Sequence, residues 1–222
     1  PENTMPAFML ALRHGYNAVE TDVSVTRDGH FVLLHDATVD RTSDGTGAIA
    51  DMALEEARRY DYGAWFDEKY RGAVLVTLTE FLEWCRMTNI RPVLELKTDT
   101  AYDPALALRL VRTIKEAHMW DRCDIISFGM AQLKMVAAVD NTARFAHIGV
   151  PTPDSIAELK ALGRNVYYSI YGGDLAAGAA LCRAHGLKYI SSTNDGDMIR
   201  LSNRLGCFGI CTDSLNLAGC VF

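Results

Sequence analysis

Short apolar runs alternate with helix-period segments along nearly the whole chain. Strand-like runs fall at 18–26, 31–35, 92–97, 124–128, 144–150, 165–171, 187–193 and 208–213. Helical patterns lie near 104–118, 130–139, 154–162, 174–185 and 195–205. Regular alternation of this kind predicts a mostly parallel sheet with helices outside it. The first two runs differ, because Arg27-Asp28-Gly29 joins them by a tight turn and predicts an antiparallel hairpin. Counting that hairpin as one position leaves seven strands, one short of a closed (β/α)₈ (TIM) barrel. Residues 4–14 read as a helix, with Asn3 or Thr4 as its cap and Pro6 in its first turn. A barrel helix follows a strand, yet only Pro1 and Glu2 precede this one. The expectation is therefore a single barrel domain over 1–222 whose first strand, about ten residues with its loop, lies upstream of Pro1. Residues 43–78, rich in Gly, Asp and Tyr and poor in periodicity, read as a long excursion over the barrel mouth.

Composition narrows the classes. Of 222 residues 49% are apolar and 23% charged, enough for a substantial core and unlike a disordered chain. A net charge of -6 argues against a nucleic-acid partner, while leaving room for a local positive patch. No run approaches the roughly 18 apolar residues of a membrane helix, so no transmembrane segment is expected. The six cysteines, Cys85, Cys123, Cys182, Cys207, Cys211 and Cys220, form no C-x-x-C pair and sit in apolar segments. They read as buried reduced thiols rather than a disulfide framework, which points to a cytoplasmic protein. A signal peptide ahead of Pro1 stays open, and a homo-oligomer is compatible with the composition.

Candidate chemistry begins in the first strand. Strict alternation puts Val19, Val23 and Val25 on one face and Glu20, Asp22 and Ser24 on the other. In an exposed antiparallel sheet such a polar face merely meets water. In a parallel barrel both faces are buried, and inward carboxylates are costly unless they are paired or bind a cation. A second acidic strand strengthens the cation reading: in 92–97, Glu95 and Lys97 share a face, with Glu95 in the C-terminal half where barrel sites assemble. Glu20, Asp22 and Glu95 would make a hard-metal site suited to Mg²⁺ or Ca²⁺. Lys97 would add positive charge for an anionic substrate, or form a salt bridge with Glu95 or Asp99. His35 ends the hairpin in a polar neighbourhood of Asp36, Asp40, Arg41 and Thr42, and an imidazole there can move protons at neutral pH. The other five histidines read as structural.

The runs Pro1-Glu2-Asn3-Thr4, Glu20-Thr21-Asp22-Val23, Arg27-Asp28-Gly29, His35 to Gly47 (HDATVDRTSDGTG) and Leu94-Glu95-Leu96-Lys97 arrive in an order and spacing that resemble the glycerophosphodiester phosphodiesterase family. Beyond about residue 100 the likeness thins to Ile126-Ser127-Phe128, Asn194-Asp195 and Cys211-Thr212-Asp213. The resemblance implies a (β/α)₈ barrel that uses a divalent cation to hydrolyse a small-molecule glycerophosphodiester to glycerol 3-phosphate and an alcohol. It implies Glu20, Asp22 and Glu95 as metal carboxylates, His35 as one catalytic histidine, and Lys97 beside the substrate phosphate. The family's other histidine belongs to an H-R-G motif just upstream of P-E-N-T, in the strand expected ahead of Pro1. Where relatives read W-T-V-N, this chain has Ser191-Ser192-Thr193-Asn194, so Ser191 is expected to alter the lining of the pocket. Two other readings remain beside this one. One is a lyase similar to sphingomyelinase D that stops at a cyclic phosphate, and the other is a non-catalytic phosphate-binding barrel.

Overall fold

The computed structural model describes residues 1–100 and 102–214. The chain divides into two compact units, one from Pro1 to Asp124 and the other beginning at Ile125.

In the first unit, α1 (Met5–Arg13) leads into β1 (Ala18–Val25), which turns back as the short β2 (Phe31–Leu33). The pair is antiparallel, with Val23 opposite Leu33 and Val25 opposite Phe31, as the tight turn predicts. Gly29 sits in that turn at φ +83, a left-handed conformation that glycine adopts at little cost. Thr4 occupies the cap position of α1, but its hydroxyl donates to Pro1 O at 2.6 Å instead of capping. Neither expected cap therefore serves by its side chain, because Asn3 is engaged with β1. The excursion contains a helical turn, α2 (Leu54–Ala57), and 3₁₀ turns at Ile49–Asp51 and Glu68–Tyr70. It has its own apolar centre: Val39, Ile49, Met52, Ala57, Tyr62 and Leu75 pack with Val32 and Leu34 of the hairpin. Asp61 ties its far end together by accepting from the backbone N–H of Gly63, Ala64 and Gly72 at 2.7, 2.9 and 2.7 Å. These bonds hold its carboxyl below the ordinary value.

The helix α3 (Leu78–Thr88) was not among the predicted elements. Thr77 and Glu80 form a reciprocal capping box at its start, and Asn89 ends it at φ +61. Phe81 and Trp84 of α3 pack against Phe8 of α1, with ring centroids 4.7 and 5.9 Å from it. Next comes β3 (Arg91–Leu96), parallel to β1, followed by α4 (Pro104–Glu116) under an Asp103 cap and a 3₁₀ turn at Trp120–Arg122.

The strand β4 (Asp124–Ser127) begins at the boundary. The second unit then repeats helix and strand: α5 (Met130–Val139), β5 (Arg144–Gly149), α6 (Pro153–Leu162), β6 (Val166–Ile170), α7 (Leu175–Ala184), β7 (Lys188–Ser192), α8 (Gly196–Leu205) and β8 (Ile210–Cys211). Strands β5 through β8 pair in sequence order, all parallel. The last is shorter than the run at 208–213 predicts: its paired register with β7 covers Ile210 and Cys211, with Phe208 N also donating to Tyr189 O at 3.1 Å. Fully buried Tyr168 links three elements, its hydroxyl lying 2.9 Å from His147 Nδ1 and 3.0 Å from Ser155 Oγ while donating to Val150 O. Among the described residues Cys85, Cys123 and Cys182 are buried free thiols, and Cys207 and Cys211 are partly exposed ones. Burial pushes the Cys85 thiol up to about 12. Cys220 lies outside the described residues.

Candidate active site

Register decides where the acids go. In the parallel pair of β1 and β3, Glu20 stands beside Val93 and Asp22 beside Glu95. Neighbouring residues in a ladder point to the same face, so Glu20, Asp22 and Glu95 emerge together. One carboxylate oxygen from each lies within 4.8 Å of the others. Asp22 is 5% exposed and Glu95 9%, so these are buried charges that need compensation. Lys97, one step past the end of β3, supplies part of it. Its ammonium lies 3.1 Å from Asp22 Oδ1 and 3.0 Å from Glu95 Oε1. The expected salt bridge to Glu95 thus exists, with Asp22 rather than Asp99 as the second partner.

The titration directions follow from this crowding. Burial first, and then the negative charge of Asp22, push the Glu95 carboxyl above its ordinary value against the pull of Lys97 and His35. Burial opposes the charge on Lys97, but Asp22 and Glu95 together outweigh it and hold the ammonium protonated. Two carboxylates thus share one lysine with Glu20 alongside, all offering oxygen. That donor set fits a hard divalent cation, for which Glu20, Asp22 and Glu95 would be the protein ligands.

Asp22 has a further partner that sequence reasoning missed. Asn3 Nδ2 donates to Asp22 Oδ2 at 2.8 Å, while Asn3 Oδ1 accepts from Thr21 Oγ1 at 2.5 Å and from Asp22 N at 3.2 Å. The two donors on Oδ1 orient the amide so that its NH₂ faces the carboxylate. Asn3 holds φ +54, a conformation asparagine tolerates better than most residues. The visible signal is its place in Pro1-Glu2-Asn3-Thr4, which the sequence offers as a helix entry and as part of the family resemblance but not as a partner of Asp22.

His35 follows β2, about half exposed, with Nδ1 2.7 Å from Asp36 Oδ1. Arg41 donates from Nε to Asp36 Oδ2 at 2.7 Å and from Nη2 to Oδ1 at 3.0 Å. Hydrogen bonding from Arg41, outweighing the cost of burial and aided by His35, holds the Asp36 carboxyl down at about 2. A small cleft opens beside His35, lined by Glu2, Asn3, Thr42 and Tyr62 among others. The three clustered acids do not line it. His35 is nonetheless near enough to the cluster to lower the Glu95 carboxyl.

Ser191 does not face a pocket. Its hydroxyl is buried 2.7 Å from Ser202 Oγ of α8, so the side chain points at a helix. The expectation that it alters a pocket lining is corrected: alternation along β7 turns it outward. Asn194 instead joins the ends of β7 and β8, accepting from Thr212 Oγ1 and Asp213 N at 2.9 and 2.7 Å.

Residues 1–217 match the model of the glycerophosphoryl diester phosphodiesterase family. A glycerophosphodiester phosphodiesterase of Caldanaerobacter subterraneus subsp. tengcongensis is 33% identical over 219 residues, covering 96% of this chain and 88% of that protein. The crystal structure of a glycerophosphodiester phosphodiesterase from Agrobacterium tumefaciens is similar with a TM-score of 0.84 at 25% identity, covering 100% of this chain and 94% of the other. A phosphodiesterase from Oleispira antarctica, solved with the product sn-glycerol-3-phosphate, gives a TM-score of 0.87 at 23% identity, covering 99% of this chain and 91% of the other. The fold class shared with these structures is the (β/α)₈ barrel, as the alternation of elements predicts. Among the described residues no helix is long and apolar enough to cross a membrane.

Proposed function

The chain belongs to the glycerophosphoryl diester phosphodiesterase family, whose members are phosphoric diester hydrolases, and from that premise we propose that it cleaves a glycerophosphodiester to glycerol 3-phosphate and an alcohol. The observation that carries this reading is the convergence of Glu20, Asp22 and Glu95 within 4.8 Å, with Lys97 against two of them. Buried acids gathered at such cost to folding are what a site for a hard cation requires. A bound Mg²⁺ or Ca²⁺ supplies charge stabilisation to a phosphodiester and its transition state.

The chain's own groups do the rest. Lys97 is held protonated beside the acids and adds positive charge where a phosphate would bind. His35 carries one end of the proton traffic. Its Nδ1 is occupied by Asp36, so Nε2 is the nitrogen that exchanges a proton with substrate. In the reaction, the glycerol hydroxyl next to the phosphate bonds to phosphorus as its proton leaves. The bond from phosphorus to the alcohol oxygen breaks, and that oxygen takes up a proton. Water then opens the cyclic phosphate to glycerol 3-phosphate.

Phosphorus NMR of the protein incubated with glycerophosphocholine, glycerophosphoethanolamine or glycerophosphoglycerol tests the reading, with Mg²⁺, with Ca²⁺ and with chelator. Glycerol 3-phosphate should accumulate only with a cation present. A cyclic phosphate that builds up without glycerol 3-phosphate would replace the hydrolase by a lyase. No turnover of any diester with either cation would remove the enzymatic reading altogether.

A further inference from the structure

Three charged side chains, Asp36, Arg41 and Glu2, continue away from His35 in alternating sign. Asp36 meets His35 Nδ1 at 2.7 Å, and a carboxylate can only accept, so Nδ1 carries the hydrogen. Arg41 grips Asp36 through Nε and Nη2 at 2.7 and 3.0 Å. On its other edge it grips Glu2 through Nη1 and Nη2 at 2.8 and 2.7 Å. One planar guanidinium thus forks onto two carboxylates and joins the segment ahead of α1 to the loop after β2. A lysine ammonium has no such pair of edges.

We infer that Asp36, Arg41 and Glu2 are positioning residues for His35, a chain that fixes its tautomer and the direction of its Nε2. The inference rests on the reading of His35 as a proton-transfer group. Asp36 sets which nitrogen is protonated. Arg41 keeps the carboxylate from rotating away, and Glu2 keeps Arg41 from following solvent. The low Asp36 value of about 2 agrees, because the carboxyl remains an acceptor across the working range. The side chains of His35 and Arg41 are 53% and 46% exposed, so burial does not immobilise them and the ion pairs must. A histidine this open would otherwise sample both tautomers and several ring directions.

The test uses ¹⁵N-labelled protein and the side-chain nitrogen shifts of its histidines, with His35 assigned by its loss from the His35→Ala spectrum. Wild-type His35 should show a protonated Nδ1 and a bare Nε2. In Asp36→Asn the amide can donate to Nδ1, so the proton should move to Nε2. Turnover should then fall roughly 10- to 100-fold, as for other residues that orient a functional histidine, with KM little changed. Arg41→Ala should give the same signature in weaker form, and Arg41→Lys should not restore it. Should Asp36→Asn fail to fold, Arg41→Ala carries the same two readouts. Retention of either the wild-type tautomer or the wild-type kcat overturns the inference, since a merely structural role would leave the tautomer in place. A His35→Ala protein with normal kcat would instead overturn the proton-transfer reading. The two failures are separable, because the tautomer is read without substrate.

Discussion

At the scale of single residues, the site divides into groups that bind charge and a group that moves protons, and the two should respond differently to substitution. Replacing Glu95 by Gln leaves its shape but removes a charge from the cluster. Activity should be lost, and the melting temperature should no longer rise when Mg²⁺ or Ca²⁺ is added. In the unaltered protein, cation at about a hundredfold over its Kd contributes about 2.7 kcal/mol, which is roughly 5–10 °C for a chain of this size. A Glu95→Gln protein with near-normal turnover would remove that residue from the site. Replacing His35 by Ala should lower kcat roughly 10²- to 10⁴-fold without disturbing that thermal response, since the imidazole is not among the clustered acids. Lys97→Met is the test of the buried ion pairs. With side chains only 13%, 8% and 11% exposed at Lys97, Asp22 and Glu95, removing the ammonium should cost about 3–5 kcal/mol in chelator, measured by urea unfolding. Part of that loss should return on adding a cation; a loss that is the same with and without cation would argue against a shared site. These acids were legible because i and i+2 on two strands is a pattern a sequence displays. The links from Asn3 to Asp22 and from Arg41 to Glu2 were not, since those partners lie 19 and 39 residues apart along the chain.

Elements were read with uneven success, and each failure has a physical cause. The helix α3 carries Leu78, Phe81, Leu82 and Cys85 on one buried face, and Thr77 and Glu80 announce its start, so the information is present in the sequence directly after the aperiodic excursion. The excursion before it is another matter. Its apolar centre draws on residues from Val32 to Leu75, and no local period reveals a cluster assembled over that distance. A fold-back inside it depends on Gly63, where a Cβ would fall 1.9 Å from Tyr70 O. Backbone cannot yield as a side-chain tip can, so Gly63→Ala should destabilise by roughly 1–3 kcal/mol, the usual range for overpacking. The same change should weaken substrate binding, because the neighbouring Tyr62 lines the cleft beside His35. Equal urea midpoints for the two proteins would show that the loop relaxes freely. The strand β8 is shorter than its apolar run for a simpler reason: such a run marks a segment able to pair, whereas the regular register with β7 reaches only Ile210 and Cys211.

For the molecule as a whole, the parallel strand-and-helix order was visible in alternation alone, whereas the division into two compact units was not, because no linker marks it. Stability of the whole should depend on pH through His147 of the second unit. Burial lowers its pKa below the ordinary 6.5 against the pull of the Phe128 backbone and Glu158, so the folded protein prefers the neutral ring. The unfolded chain then binds the extra proton, and stability falls as pH drops below about 6.5 toward the lower folded value. Urea midpoints of the unaltered protein and His147→Asn, compared from pH 8 to pH 5, should draw together on the acid side. A gap independent of pH would sink the claim. The five residues proposed for binding and catalysis, Glu20, Asp22, His35, Glu95 and Lys97, all fall in the first unit. On the proposed assignment, selection acting on turnover should bear most heavily on the first unit. In a library mutated evenly over residues 1–214 and sorted by activity, inactive but well-expressed variants should come mainly from changes at residues 1–97. Changes at residues 126–214 should more often lower abundance and function together.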